Sequence, residues 1–270
     1  MAIFTHLHVH TQYSFLSSTI HISRLFAKIK DLGMDSVAIT DHGNMFGVMH
    51  FYNEAKKWNI KPIIGCEVYI TTGSSLEKKE DKKNHFLVLL AENQEGYKNL
   101  TYLVSLGFTK GFYYRPRIDK KVLQEHSKGL IALSAGVWGE IGQNIINNQI
   151  DTAKNIIIEF QNIFAKNNFF LEISETGFSD QTIVNDTLKQ FSRELDVPLV
   201  ATNDCHYVER SEAHAHEILV CIQQNKSFND PSRKRYESSA LYIRSHEEMK
   251  ELFLDVPSAF ENAIEIAKRC

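Results

Sequence analysis

Cysteine is scarce in this sequence and nowhere paired by spacing. Cys66, Cys205, Cys221 and Cys270 are scattered along 270 residues with no C-x-x-C. That argues against a zinc ribbon or a disulfide framework and fits a reducing cytoplasm. No apolar run approaches the length of a membrane span. The N-terminus lacks the basic-then-apolar pattern of a signal peptide, so neither a membrane nor an exported setting is expected. An excess of positive charge is also missing: 30 Lys and Arg stand against 33 Asp and Glu, for a net charge of −3. Any contact with nucleic acid must therefore be local. There is no internal repeat and no low-complexity tract. The hydrophobic fraction of 43% and charged fraction of 23% are those of an ordinary globular chain able to bury a sizeable core.

What the sequence has in plenty near its start is histidine. His6, His8 and His10 occupy alternate positions among Ile3, Leu7 and Val9. In a strand, residues two apart share a face, so three imidazoles would point the same way. Neutral imidazole is a common ligand for Zn²⁺ and similar ions. A solvated histidine face is the plainer alternative.

Short apolar, β-branched runs predict seven strands, at 3–9, 35–40, 62–70, 85–91, 129–134, 168–174 and 197–202. Amphipathic helices are expected between them at 22–32, 47–58, 93–107, 138–147, 150–164, 179–195 and 211–224, with Gly33 as a stop. The alternation predicts an α/β fold with a mainly parallel sheet, either open or closed into a barrel. The run Phe86-Leu87-Val88-Leu89-Leu90 fits a strand buried on both faces. Residues 71–84 read as a charged, solvated loop with Lys78, Lys79, Lys82 and Lys83. A polar stretch at 225–240, with Arg233, Lys234 and Arg235, divides a body at 1–224 from an extension at 225–270. That extension should hold an apolar strand, Leu241-Tyr242-Ile243, and two helices.

Ligands of parallel α/β folds gather at the C-terminal ends of strands. Here those ends carry His8 and His10, then Asp41 and His42, then Asn203-Asp204-Cys205-His206. Glu67 is an acid inside an apolar run, and His85 precedes the fourth run. Singly, each reads as a satisfied structural residue. Together they form a set of imidazoles and carboxylates, and buried carboxylates are costly unless paired or metal-bound. Mixed His and carboxylate donors suit Zn²⁺, Mn²⁺ or Fe²⁺ better than Ca²⁺. More than four candidates imply more than one ion, with Glu67 able to bridge. The chemistry this points to is metal-assisted hydrolysis of a phosphate ester.

The segments His6-to-Ser14, Ala38-to-Gly47, Lys61-to-Glu67, Leu89-to-Asn93, Tyr114-to-Asp119 and Val200-to-Tyr207 resemble the polymerase and histidinol phosphatase (PHP) domain. More narrowly, with the tail around Glu247-Glu248-Met249 and Glu261-to-Ala267, they resemble the PHP domain at the N-terminus of bacterial replicative DNA polymerase III alpha subunits. The resemblance runs the length of the chain. It implies a distorted seven-stranded β/α barrel that binds Zn or Mn, one to three ions. His8, His10, Glu67 and Asp204 match the first metal's ligands, Glu67 and His85 the second's, and His42 and His206 the third's. Glu67, Asp204 and His206 are the implied catalytic residues. His6 and Asp41 are the implied orienting neighbours. Two positions depart from the family pattern. Ser17 replaces a usual ligand of the third metal and Gly136 a usual ligand of the second, so fewer than three ions are expected.

Two functions are implied by the resemblance. One is a metal-dependent phosphoesterase, a 3′→5′ exonuclease acting on the primer 3′ end. In it the stretch Lys110-to-Arg117, with Arg115 and Arg117, would hold phosphate and stack a base. The other is a decayed module that stabilises the polymerase and docks a separate proofreading exonuclease subunit. A small-molecule phosphatase of the histidinol phosphatase kind is a weaker third. The polymerase's own carboxylates would lie beyond residue 270, so these residues alone should not synthesise DNA. His21, His50, His126 and His246 read as surface positions. His214 and His216, two apart on a helix, should not share a face. Trp58 and Trp138 read as packing groups, and Cys66 and Cys205 as pointing into the core.

Overall fold

A computed structural model describes residues 3–75, 84–233, 235 and 238–270. Lys78, Lys79, Lys82 and Lys83 of the charged loop, and Lys234, lie outside the described residues. Eight strands follow the chain: β1 (Ser36–Ile39), β2 (Lys61–Thr71), β3 (Asn84–Ala91), β4 (Phe112–Tyr113), β5 (Arg115–Asp119), β6 (Leu130–Leu133), β7 (Phe169–Ser174) and β8 (Leu199–Thr202). The helices are α1 (Ile22–Asp31), α2 (Val48–Trp58), α3 (Gln94–Thr109), α4 (Lys120–Glu125), α5 (Glu140–Ile146), α6 (Ile150–Ile163), α7 (Gln181–Leu195), α8 (Ala213–Gln224), α9 (His246–Leu252) and α10 (Pro257–Arg269). The small hairpin β4–β5 and helix α4 have no counterpart in the sequence-based expectation.

The strands form one curled sheet in the order β4-β5-β2-β3-β6-β7-β8, with β1 also on β2. The expected first strand is extended but makes no regular ladder. Only Val9 bridges, to Cys205. Its amide goes to the Thr40 hydroxyl at 2.8 Å instead of a strand carbonyl, which interrupts the pairing. The segment still closes the barrel. His6 O and Val9 O accept from Ala38 N and Thr40 N on one side, and His8 and His10 exchange bonds with Cys205 on the other, all at 2.9 to 3.0 Å. With this segment counted, seven staves surround the core: residues 3–10, β1, β2, β3, β6, β7 and β8.

The expectation of a mainly parallel sheet needs correction at β3, which runs antiparallel to both β2 and β6. The apolar run at 86–90 signals burial on both faces, which either direction satisfies. Leu241-Tyr242-Ile243 is likewise not a strand, since only Tyr242 bridges, to Tyr207. The two expected tail helices are α9 and α10. A Ser245–Glu248 capping box starts α9. Helix α10 lays Ala259, Phe260, Ala263 and Ile266 into the same core as the barrel, and Phe260 stacks on Phe4 at 5.1 Å.

Helix starts and stops follow local chemistry. Asn93 caps α3 by accepting from Glu95 N and Gly96 N, both at 3.0 Å. Gly33, at φ +68, ends α1 as expected. Gly96 is required by a close approach: a Cβ there would sit 1.7 Å from Gly129 O, so α3 can cross the strand behind it only at glycine. Among the described residues, no helix is long and apolar enough to cross a membrane.

One feature of the sheet positions the site. The first half of β2 pairs with β1, through Ile64, and the second half with β5, from Tyr69. Glu67 lies at this change of partner, where strand ends part and a crevice opens.

Candidate metal centre

Six ionisable side chains converge from four parts of the chain: Glu67, His8, His10, His42, Asp204 and His206. His8 and His10 come from the closing segment, His42 follows β1, and Asp204 and His206 follow β8. His8 Nε2 stands 3.2 Å from His10 Nε2 and 3.2 Å from Glu67 Oε1. Asp204 Oδ1 lies 3.7 Å from His8 Nε2 and 3.3 Å from His10 Nε2. Atoms sharing one ion through bonds of about 2.1 Å stand roughly 3.4 Å apart in a tetrahedron. His8, His10 and Asp204 thus stand mutually at ligand spacing, and Glu67 meets that spacing toward His8. A second group, His10, His42 and His206, also brings its ligand atoms within 4.8 Å of one another. His42 Nδ1 faces Glu67 Oε2 in very close contact.

Every member is buried except His42, which is partly open to the cleft. Asp204 sits at φ +46, a left-handed backbone that a non-glycine residue adopts at some cost. That turn aims its carboxylate at His8, His10 and His206. Burial opposes charge on Glu67, Asp204, His8, His206 and His10, yet the neighbours dominate for the first four. Burial would raise Glu67, but His42 and His8 hold it below the ordinary carboxylate range. Asp204 is held low against burial by His206 and His8. Burial opposes a proton on His8, but Glu172 and Asp204 push its pKa well above 6.5. Asp204 likewise raises His206 against its burial. His10 goes the other way: burial and the rings of His42 and His206 keep it neutral, the ligand form of imidazole.

The orienting contacts are explicit. Ser17 O can only accept, so His206 Nδ1 donates to it at 2.7 Å and leaves Nε2 facing Asp204 at 3.0 Å. His216 Nε2 donates to the same carbonyl at 2.9 Å, and burial lowers its pKa to about 4. His214 is exposed, so the two histidines of α8 do not share a face. Asp41 accepts from Thr11 N, Thr11 Oγ1 and Ser14 Oγ at 2.6 to 2.8 Å. Ser14 Oγ in turn meets His10 Nδ1 at 3.1 Å, so Asp41 acts on His10 through one hydroxyl. His6 departs from the row: its Nε2 donates to Arg244 O at 2.9 Å, and burial lowers its pKa to about 4.

Glu172 was not expected here. It lies within β7 and accepts from His8 Nδ1 at 2.7 Å and from Thr202 Oγ1 at 2.5 Å. This fixes the His8 tautomer with Nε2 free for a ligand. Its other oxygen, Oε2, is buried with no hydrogen-bond partner. A buried cluster of ionised carboxylates and imidazoles with a neutral His10 at its centre is what a divalent cation would satisfy, and the donor set fits Zn²⁺ or Mn²⁺. Glu172→Gln is expected to weaken metal binding about 10- to 100-fold with the fold retained; a competitive chelator titration reads it.

Two named residues stand elsewhere. His85 is on the opposite face of β3 from Asn84 and Phe86, which line the cleft. Arg117 is fully buried and donates to Gly111 O and Ser75 O, both at 3.3 Å, under the Tyr113 ring. Arg115 does reach the cleft, over the Tyr69 ring. The cleft encloses about 420 Å³ and is also lined by Phe15, Ser17, Asn44, Trp138 and Gln223. Trp138 is thus a cleft wall, packed edge-on to Phe178. Ser17 Oγ meets His42 Nε2 at 3.0 Å. Gly136, at φ +48, presents no side chain. Cys66 and Cys205 are buried with free thiols.

Comparison with known proteins gives consistent matches. The family model for the PHP domain matches residues 6–176. The DNA polymerase III subunit alpha of Borreliella burgdorferi is 48% identical over 99% of this chain and 24% of its own length. That of Helicobacter pylori is 46% identical over 99% of this chain and 23% of its own length. The chain therefore spans about a quarter of the curated relatives it matches. Among solved structures, an amidohydrolase from Chromobacterium violaceum is similar with a TM-score of 0.48 and 11% identity, covering 75% of this chain and 87% of that one.

Proposed function

The chain belongs to the PHP domain family, and on that premise we propose that it is the PHP module of a bacterial replicative DNA polymerase III alpha subunit, working in the cytoplasm as a metal-dependent phosphoesterase on DNA 3′ ends. The observation that carries this reading is the convergence of His8, His10 and Asp204 at ligand spacing, with Glu67 against His8, beside an open cleft that Glu67 and Asp204 line. His8, His10, Glu67 and Asp204 would hold a first Zn or Mn ion. His42 and His206 would help hold a second, with Glu67 placed between. Fewer than three ions fit, because Ser17 and Gly136 supply no strong ligand. When bound, such an ion supplies a polarised phosphoryl oxygen and a more acidic water.

The protein's own groups do the rest. Glu172 and Ser14 lock the rings of His8 and His10. Asp204 and the Ser17 carbonyl hold His206 so that its Nε2 faces the cleft floor, free to serve as a ligand. Arg115 places one guanidinium at the rim, where a phosphate would enter. The test is release of nucleotides from a single-stranded or mispaired 3′ end. Hydrolysis is expected with added Mn²⁺ or Zn²⁺ and none with chelator. No release under either condition would remove the enzymatic reading.

A second reading is favoured by Ser17 and Gly136. In it the chain keeps a metal for stability and docks a separate proofreading exonuclease on the larger alpha chain. It predicts a melt that depends on metal with no hydrolysis.

A further inference from the structure

Four exposed phenylalanines form a connected row that starts at the cleft. Phe15 lines the cleft and is 66% exposed. Its ring lies 6.4 Å from Phe46, Phe46 lies 5.6 Å from Phe108, and Phe108 lies 6.4 Å from Phe112. Phe46, Phe108 and Phe112 are 57%, 38% and 48% exposed. Single exposed apolar residues are ordinary, but four large rings in unbroken contact are not. They come from three separate places: the loop before α1, the start of α2, and the end of α3 with β4.

We infer that this row is a stacking track for single-stranded nucleic acid, leading a strand into the cleft. The inference rests on the reading of the cleft as a phosphodiester site. Three observations favour a nucleic acid. The row is continuous with the cleft through Phe15. The segments that carry it, 11–30, 42–53 and 96–118, contain no Asp or Glu in a chain that has 33 of them. Lys110 lies two residues before Phe112 at its far end and Arg115 stands at the cleft rim, so the charge these segments carry is positive although the net charge is −3. Ring faces bind bases of any sequence, and cations beside them meet the phosphates. The ring spacings exceed the base rise of a duplex strand, about 3.4 Å. A strand laid along the row is therefore unstacked and single.

The test is anisotropy of a 5′-labelled oligo(dT) with the chain in EDTA, so that binding is read without hydrolysis. The triple variant Phe46→Ala, Phe108→Ala, Phe112→Ala is compared with wild type, with equal melting temperatures as the folding control. These three rings lie outside the cleft. Binding is expected to weaken roughly tenfold or more, while Mn²⁺-dependent cleavage of bis(p-nitrophenyl) phosphate, too small to span the row, is unchanged. Equal oligo(dT) binding by both proteins, or none by wild type, overturns the track. Self-association that the triple variant loses, seen by sedimentation with DNA binding unchanged, also overturns it and assigns the row to a second copy of the chain. If wild type cleaves no small diester yet binds oligo(dT) through the row, the phosphodiester reading fails and the track stands.

Discussion

Asp204→Asn is expected to lower metal-dependent hydrolysis of DNA 3′ ends at least about 100-fold with little change in fold. The size of the loss follows from where the carboxylate points. One oxygen lies within 3.0 to 3.7 Å of ring nitrogens of His206, His10 and His8. An amide there removes the charge proposed to ligate the metal and the attraction that raises His8 and His206. The fold should survive for two reasons. Asn has the same shape, and at φ +46 it is among the few residues that accept left-handed backbone readily. Nucleotide release and a thermal melt, measured on the same preparation, separate the two effects. Equal rates for variant and wild type would remove Asp204 from the chemistry.

Stripping metal should lower the melting temperature by about 10 °C. Ligands that bind only the native state stabilise it by about 4 kcal/mol at a thousandfold excess over Kd. For a domain of this size each kcal/mol moves the midpoint by roughly 2–4 °C. The mechanism is specific to this barrel. His8 and His10 on the closing segment, Glu67 on β2 and Asp204 after β8 lie on staves far apart in sequence, and a bound ion would tie them together. Scanning calorimetry before and after chelation, with readdition of Mn²⁺ or Zn²⁺, measures the shift. An unchanged melt in protein that carried metal would show that the cluster is not a stabilising site.

Much of this was readable from residue order, and the exceptions have physical causes. Six of the seven expected strands stand as ladders near their expected places, because β-branched apolar runs report burial on both faces. The same runs carry no information on direction, which is why antiparallel β3 was not foreseen. Phase is lost there too. In His85-Phe86-Leu87-Val88-Leu89-Leu90 both faces are apolar, so nothing in the pattern says which face His85 takes. Phe86 takes the cleft. Asp204 and His206 were legible because a polar cluster ends an apolar strand. Glu172 was passed over although it shows the signal that marked Glu67, an acid within an apolar run, Phe169-Phe170-Leu171-Glu172-Ile173. Arg117 looked like a phosphate ligand because its role, donating to carbonyls of Gly111 and Ser75, depends on loops distant in sequence or shape. The row of phenylalanines assembles from three segments and has no periodicity to betray it.

The central claim is that the imidazole–carboxylate cluster is a metal centre. Elemental analysis of the chain, purified without chelator or histidine tag, tests it most directly, with His10→Ala as the comparison because His10 belongs to both ligand groups. Wild-type protein is expected to carry one to two ions of zinc or manganese per chain, and the variant clearly fewer. Wild-type protein free of metal even after incubation with Zn²⁺ or Mn²⁺ and desalting, or a variant that retains as much as wild type, would contradict the claim.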